Sequence, residues 1–499
     1  MTTTVARPTT RPLRHPAIAP LAVAALGFTI SVVGIGIPSI WYDEAATITA
    51  ATRSWPQLWA MLGNVDAVHG LYYFLMHVVF DVFGYSPLAL RMPSALAIGV
   101  AAALVVVLGR QLGRPRLALI SGVVFCLLPR VTWAGTEGRS YALTAVAAVL
   151  LSIVFVKAHT VYSRRWWALY AVVAVVACIL FVYVALVIVA HGVTVALALY
   201  RRDRMAVFFA RRWAVATSAA GLVAAPFVLA VMAQDGQVAW IPRLGWGTVQ
   251  SVFRGQWFYG SEPFAILAWA LIALGVIVHL RRRTGGVLLS TVLPALLLPT
   301  VALLAVSLVH SPLYLPRYLT MCTPFVALAI ALGIDAIRWR PAVVGTVVLI
   351  AALAVPQVAW QRLPEAKENA SWAAVADLVA HERSLDGPDA TTVFIYGNVQ
   401  RHPSATARVM AYSYPDAFAD SIDLTLLTPA AETAQLWETA APIGSTMDRL
   451  DGADVAYLVT SVARDLRPQA LAAMSDAGWV LTDRWELTSV HVLRFEPRL

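Results

Sequence analysis

Long runs of apolar residues constrain this chain more than any other feature. A helix needs about 20 mainly apolar residues to cross the roughly 30 Å hydrocarbon core of a bilayer, and about eleven runs approach that length. Of the 499 residues, 59% are hydrophobic and only 13% are charged, unlike a soluble domain. The sequence therefore predicts a polytopic α-helical membrane protein. The predicted spans are 17–40, 88–109, 117–130, 140–157, 166–181, 183–200, 213–232, 263–280, 286–309, 318–336 and 342–360.

The distribution of basic residues predicts the orientation of these spans. Arginine and lysine cluster in every second loop, for example at 110–116, 201–212 and 281–283. Such clusters stay on the cytoplasmic side of the membrane. The N-terminus is then cytoplasmic, and an odd number of spans places the C-terminus outside. We therefore expect a multi-pass plasma-membrane protein whose net charge of +9 reflects topology and not nucleic-acid binding.

Two regions outside the spans have a different character. Residues 41–87 contain the amphipathic segments SWPQLWAML and HGLYYFLMHVVFDVF, which are too short or too polar to cross and are predicted as interfacial helices. Beyond about residue 364 the chain turns polar, with β-rich runs at TTVFIYGN, DVAYLVT, WVLTDRWEL and SVHVLRFEP. We predict a membrane domain over 1–364 and a soluble extracytoplasmic α/β domain over 365–499.

An acidic pair directly after the first predicted span is the strongest candidate for chemistry. The motif IWYDEA places Asp43 and Glu44 at the membrane surface, where a lipid-borne substrate presents its headgroup. A carboxylate there can take the proton of an attacking hydroxyl. The alternative is a solvated pair of carboxylates at a helix end. Because charges at this depth are costly, we predict that both residues are catalytic.

Two arginines in predicted outer loops are candidates for binding a phosphate through the guanidinium group. Arg139 lies in TEGRSYAL, a short loop that also carries Glu137. Arg317 lies in HSPLYLPRYL and is the only Lys or Arg of the outer loop 310–317, against the usual charge bias. The alternatives are an internal Glu–Arg pair for Arg139 and a lipid headgroup anchor for Arg317.

Further side chains of the outer loops are candidate contacts to a substrate. They are Tyr42, His69, Tyr72, Glu137, Tyr141, His310, Tyr314 and Tyr318. An interfacial aromatic belt uses several of the same residue types for anchoring. Asp43, Glu44, His69 and Glu137 could also bind a metal, but their spacing specifies no metal site, so we expect no required cofactor.

Four motifs occur in a fixed order: WYDEA after the first span, HGLYYFLMHVVFDVFGYSPLALRMPSAL before the second, EGRSYAL at the fourth and PRYL before a late span. As a set they resemble the GT-C glycosyltransferases of the dolichyl-phosphate-mannose mannosyltransferase type, family 39, over roughly residues 20–330. The resemblance implies a polyprenyl-monophosphate sugar donor, an inverting single displacement and a base at Asp43. It also implies that the loop arginines engage the donor phosphate.

The composition and the C-terminal domain make the chain similar to actinobacterial mannosyltransferases of that superfamily, which build cell-envelope glycolipids or lipoglycans. Mannose, an envelope glycan or lipid acceptor, and contacts with membrane lipids are the corresponding expectations. The alternatives are an arabinosyltransferase, a protein O-mannosyltransferase, an oligosaccharyltransferase with a diphosphate donor, and a non-enzymatic transporter of lipid-linked sugars. A long tail and a short first outer loop count against the protein O-mannosyltransferases.

Overall fold

The computed structural model describes residues 17–283, 286–387, 389–399 and 405–498. Helices form nearly all of the chain up to Trp360. They are α1 (Ile18–Val32), α2 (Tyr42–Ala51), α3 (Trp55–Leu62), α4 (Gly70–Phe83), α5 (Pro87–Leu112), α6 (Pro115–Leu127), α7 (Pro129–Ala134), α8 (Tyr141–Val161), α9 (Arg164–Leu180), α10 (Ala185–Tyr200), α11 (Ala206–Met232), α12 (Trp246–Gln250), α13 (Glu262–Arg281), α14 (Gly286–Val309), α15 (Thr323–Ala336) and α16 (Arg340–Trp360). Short 3₁₀ turns at Ala67–His69, Val182–Val184, Asp235–Val238 and Pro316–Cys322, and a π-helical turn at Ser251–Gly255, connect several of them.

Eight helical segments of the described residues are long and apolar enough to cross a membrane. They are Pro87–Leu112, Tyr141–Val161, Val182–Tyr200, Ala206–Met232, Glu262–Arg281, Gly286–Val309, Pro316–Ala336 and Arg340–Trp360. The other three predicted spans coincide with α1, α6 and α9, which have 15, 13 and 17 residues. The chain is therefore a multi-pass membrane protein, as predicted, while the number of eleven crossings stays a prediction.

Local sequence sets several helix boundaries. Ser86 caps α5, since its hydroxyl accepts a hydrogen bond from Ala89 N at 3.1 Å, and Pro87 follows at the first helical position. Small residues allow close crossings inside the bundle. A Cβ built on Gly275 of α13 would lie only 2.6 Å from the backbone nitrogen of Gly333 in α15. Helix α15 is accordingly the most buried of the candidate spans.

The C-terminal region is a mixed α/β domain, as the sequence predicted. Its elements are α17 (Trp372–Asp386), β1 (Thr392–Tyr396), α18 (Arg408–Ser413), α19 (Pro415–Phe418), β2 (Ile422–Asp423), β3 (Leu426–Thr428), β4 (Thr439–Ala440), β5 (Val455–Ser461), α20 (Arg467–Asp476), β6 (Trp479–Glu486) and β7 (Val490–Pro497). The main sheet has the order β2-β1-β5-β7-β6, and β3 pairs with β4 separately. Strand β1 is parallel to β2 and β5, whereas β7 is antiparallel to β5 and β6.

The α/β domain forms hydrogen bonds with the segments that flank the short helices α2, α3 and α4. Tyr414 accepts a hydrogen bond from Ile40 N at 2.9 Å, and Tyr85 donates one to Ser413 O at 2.7 Å. Arg53, in the short connection between α2 and α3, donates to Leu436 O at 3.2 Å. These contacts hold the domain over one end of the helical bundle, where a large cavity lies between the two parts.

Candidate active site

The cavity between the helical bundle and the α/β domain has a volume of about 1570 Å³. Its floor comes from the bundle, including the start of α2 and the loop before α8. Its other wall is formed by segments 428–439, 461–463 and 488–489 of the α/β domain. The predicted outer loops thus meet at one end of the bundle, although they are far apart in sequence.

Asp43 lies on the cavity floor in the first turn of α2. A carboxylate is favoured there because the first turn of a helix exposes backbone N–H groups. Its Oδ2 lies 3.4 Å from Arg317 Nη2 and is buried, yet it accepts no hydrogen bond from any described residue. An acceptor oxygen with unused capacity, beside a cavity, is what a general base requires.

Arg317 faces Asp43 from the start of the 3₁₀ turn before α15. Its guanidinium lies 5.6 Å from the ring centre of Trp41 and 5.4 Å from that of Trp240, so two indoles hold it in place. The second carboxylate nearby is Glu368, at 3.9 Å from Nη1. The two indoles thus hold the guanidinium at the cavity wall, next to these two carboxylates.

Arg139 lines the same cavity from the loop between α7 and α8. Its Nη1 donates to the Tyr73 hydroxyl at 2.8 Å, and Tyr73 in turn donates to Asp66 Oδ2 at 2.6 Å. Asp66 also lines the cavity, and burial raises the pKa of its carboxyl. The alternative interpretation of Arg139, an internal ion pair with Glu137, is not found among the described residues: Arg139 lines the cavity, and Glu137 pairs with Lys367.

Glu44, predicted to be catalytic with Asp43, points away from the cavity into the protein. Its carboxylate accepts hydrogen bonds from Arg91 Nε at 2.8 Å, Arg91 Nη2 at 2.7 Å, Gly138 N at 2.9 Å and Lys367 Nζ at 2.7 Å. Burial alone would raise the pKa of Glu44, but Arg91 and Lys367 outweigh it and hold that pKa at about 2. A fully occupied carboxylate cannot act as a base, so this geometry favours a structural role.

Glu137 belongs to the same buried network. Its Oε1 lies 2.9 Å from Lys367 Nζ, and its Oε2 accepts a hydrogen bond from Trp41 Nε1 at 3.0 Å. Burial raises the pKa of Glu137; Lys367 opposes this and Glu44 adds to it, which leaves the pKa at about 7. The residue thus positions Trp41, which forms part of the cavity wall and stacks on Arg317.

The raised pKa of Glu137 predicts a pH-dependent stability. The pKa of Glu137 in the folded protein, about 7, exceeds the ordinary value of 4.5. The contribution of Glu137 to the free energy of unfolding is therefore complete below about pH 4.5 and is lost as the pH rises through 7. The glutamine of Glu137→Gln is neutral at every pH, so the variant does not lose this stability as the pH rises. We therefore expect the difference in melting temperature, variant minus wild type, to be larger at about pH 8 than at about pH 5. Thermal unfolding of both proteins in lipid nanodiscs measures it. A difference that does not vary with pH would contradict the assigned pKa.

The structure brings most of the predicted site residues together. Those that line the large cavity are Tyr42, Asp43, His69, Arg139, Tyr141, Arg317 and Tyr318. The others lie outside its lining; they are Glu44, Tyr72, Glu137, His310 and Tyr314.

The predicted residues that do not line the cavity are placed elsewhere for identifiable reasons. Tyr72 and Tyr73 are neighbours on α4, about 100° apart around the helix, and Tyr73 is the one that reaches Arg139. His310 is exposed at the end of α14. Tyr314 is buried and donates to Gln256 Oε1 at 3.1 Å.

Several residues of the site were not predicted. Lys367 and Glu368 follow the last span and were assigned to the soluble domain, but they fold back against Glu44 and Arg317. Asp66 lies in a polar turn with a left-handed backbone, φ 58°. No local signal in the sequence indicates these positions, since the contacts that define them are long-range.

Comparisons with known proteins give a structural match and no sequence match. No family model matches the chain, and no curated protein matches it. ArnT from Cupriavidus metallidurans in the apo state superposes with a TM-score of 0.61 at 13% identity, over 95% of this chain and 97% of that one. The same protein bound to undecaprenyl phosphate gives a TM-score of 0.58 over the same shares of both chains. An Archaeoglobus fulgidus oligosaccharyltransferase superposes less well, with a TM-score of 0.47 at 12% identity, over 89% of this chain and 68% of that one.

The match to ArnT defines the class of fold. The chain shares the architecture of ArnT over nearly its whole length, with a helical membrane bundle followed by a domain that contains a β-sheet. The GT-C fold that the motif order predicted is confirmed. At 13% identity the likeness extends to the fold alone.

Proposed function

We propose that the protein transfers a glycosyl group from a polyprenyl-monophosphate carrier to an acceptor hydroxyl. The observation that carries this proposal is the cavity floor, where the incompletely hydrogen-bonded carboxylate of Asp43 faces Arg317 and shares the cavity with Arg139. A base for the acceptor and cations for a phosphate leaving group are the two requirements of such a transfer. The neighbour crystallised with undecaprenyl phosphate supports the choice of carrier.

In the proposed reaction the acceptor hydroxyl approaches the anomeric carbon on the face opposite the phosphate. Asp43 takes the hydroxyl proton while the acceptor oxygen bonds to the anomeric carbon. The bond from that carbon to the phosphate oxygen breaks, and its electrons leave with the carrier phosphate. One displacement inverts the anomeric configuration. No covalent enzyme intermediate is needed.

Arg317 and Arg139 would stabilise the departing phosphate. Both guanidinium groups have a buried Nε without a hydrogen-bond partner among the described residues. Charged donors oriented in advance stabilise charge as it develops, without reorganising during the reaction. Tyr42, Tyr141 and Tyr318 supply aromatic and hydroxyl surfaces at the cavity for a sugar ring.

The finer assignments are mannose as the sugar and an envelope glycolipid or lipoglycan as the acceptor. The motif order supports mannose, and the position of the cavity at the end opposite the basic loops supports a reaction on the extracytoplasmic side. We assign 1–364 to the membrane catalytic domain and 365–499 to an extracytoplasmic domain that covers the cavity. We also propose that no divalent metal is required.

Removal of the Arg317 side chain should weaken use of the donor. We expect Arg317→Ala to raise the apparent Michaelis constant for the polyprenyl-phosphate sugar at least about tenfold, because a charge-assisted phosphate contact is lost. Steady-state kinetics in nanodiscs measure it. Arg243→Ala, in the same outer region but exposed, is the matched control and should change the constant less than about twofold. An unchanged constant in Arg317→Ala would mean that Arg317 pairs with Asp43 but does not bind the donor phosphate.

A donor panel tests the proposed substrate. Purified protein is given radiolabelled polyprenyl-phosphate mannose or polyprenyl-phosphate arabinose, with an envelope lipid extract as acceptor. Product from mannose alone supports the mannosyltransferase assignment, whereas product from arabinose alone replaces it with an arabinosyltransferase. Movement of intact labelled donor across a vesicle membrane, without product, would replace the enzyme with a transporter.

A further inference from the structure

A second cavity, of about 190 Å³, lies beside the large one. The two cavities share Trp41, Arg317 and Glu368 in their linings. Arg130 and Lys367 line only the small one. Arg317 thus stands between two spaces, one of them lined by three cationic side chains.

Arg130 is held in one orientation. Its Nε donates to Gln256 O at 2.8 Å and its Nη2 to Gly255 O at 2.9 Å. Its guanidinium lies 4.7 Å from the ring centre of Trp133 and 4.9 Å from that of Tyr259. These contacts use two of the three guanidinium nitrogens, and the two aromatic rings, whose centres are 5.9 Å apart, pack beside the group. Nη1 is left without a hydrogen-bond partner in the described part of the chain.

Arg130 is one of three buried arginines, with Arg53 and Arg139, for which the described residues supply no carboxylate within 4 Å. Arg91, Lys367 and Arg408 each pair with a carboxylate at less than 3 Å, and Arg317 pairs with Asp43 at 3.4 Å. Arg130 is only 5% exposed, yet no described carboxylate lies within 4 Å of it. A buried cation without a counter-ion is costly unless a ligand supplies the charge.

We propose that the small cavity is a binding site for a tetrahedral phosphate oxyanion, held by Arg130 together with Arg317, which lines both cavities. Its volume corresponds to about six water molecules, enough for one phosphate group with part of its hydration. Arginine suits the task because its planar donors match phosphate geometry. Arg139 lines the large cavity and not the small one, so the proposed phosphate site is separate from the position of Arg139.

The ligand has two possible sources with the same chemistry. It is either the phosphate headgroup of a polyprenyl carrier or free inorganic phosphate. For the first source the inference rests on the proposed function, since the headgroup would pass from Arg317 to Arg130 after transfer. Binding itself can be measured without any transfer, so failure of the proposed reaction does not decide this site.

The test compares binding of two probes, orthophosphate and undecaprenyl phosphate, to the full-length protein in nanodiscs at constant ionic strength. We expect Arg130→Gln to weaken binding of at least one probe about tenfold or more, because a charge-assisted contact is removed. Arg243→Gln, which removes an exposed arginine, is the matched control and should change binding less than about twofold. Arg130→Lys keeps the charge but loses the planar donors, and it serves if the glutamine variant does not fold.

The pattern of outcomes identifies the source or overturns the site. Weaker binding of both probes assigns the pocket to phosphate in general, and weaker binding of undecaprenyl phosphate alone assigns it to the lipid headgroup. If wild type, Arg130→Gln and Arg130→Lys bind both probes equally, the proposal is overturned, and Arg130 only anchors the turn at Gly255 and Gln256. Equal loss in the Arg243→Gln control would also overturn it, since the effect would be nonspecific.

Discussion

Asp43→Asn should reduce glycosyl transfer by about 10²-fold to 10⁴-fold, the usual contribution of a general base. The amide keeps the size of the side chain but cannot accept the proton of the acceptor hydroxyl at neutral pH. Turnover from the polyprenyl-phosphate donor measures the effect. Donor binding should persist, because Arg139 and Arg317 are unchanged and the amide only removes the negative charge that lies 3.4 Å from Arg317.

Asp66→Asn is the matched control for this prediction. Asp66 is the other carboxylate of the bundle wall of the same cavity, but its Oδ2 is already occupied by the Tyr73 hydroxyl at 2.6 Å. We expect a reduction of less than about tenfold, through the position of Arg139. If Asp66→Asn abolishes transfer while Asp43→Asn does not, the base has been assigned to the wrong carboxylate.

Glu44→Ala should cause the largest loss of stability. It would leave Arg91 and Lys367 buried without their shared carboxylate, and breaking a buried ion pair in this way costs about 3–5 kcal/mol. The melting temperature and the yield of folded protein in nanodiscs measure the effect. We expect the loss of activity in this variant to follow the loss of folded protein.

An exposed pair provides the control for Glu44. Glu262 lies 3.6 Å from Arg254, and 64% of its side chain is exposed; Glu262→Ala should cost less than about 1 kcal/mol. A double variant, Glu44→Gln with Lys367→Met, should lose less stability than the two single changes predict together, since it removes a buried charge along with its partner. Full stability of Glu44→Ala with loss of turnover would instead restore Glu44 to the catalytic group.

The fold was largely predictable because its signals are local. Apolar runs marked the spans, and the β-rich runs near residues 392, 455, 479 and 490 became strands β1, β5, β6 and β7. The shorter helices α1, α6 and α9 were harder to count, because a run of apolar residues says little about how far a helix extends. The order of the motifs along the chain was enough to predict the class of fold.

The sequence located the region of the site, but it did not show which of two adjacent side chains faces the cavity. Asp43 and Glu44 are adjacent, but the helix turns them about 100° apart, so one faces the cavity and the other faces Arg91. Lys367 reaches Glu44 across 323 positions of sequence. Such partners depend on how the α/β domain packs against the bundle, and no periodicity in the chain records that packing.

Transfer of radiolabelled mannose from polyprenyl-phosphate mannose to an envelope lipid extract, by purified protein with and without a chelator, tests the central claim most directly. The proposed function predicts transfer by wild type that a chelator does not reduce and that Asp43→Asn lacks. Wild-type protein that binds undecaprenyl phosphate but transfers no sugar from any polyprenyl-phosphate donor would contradict it, as would full turnover by Asp43→Asn.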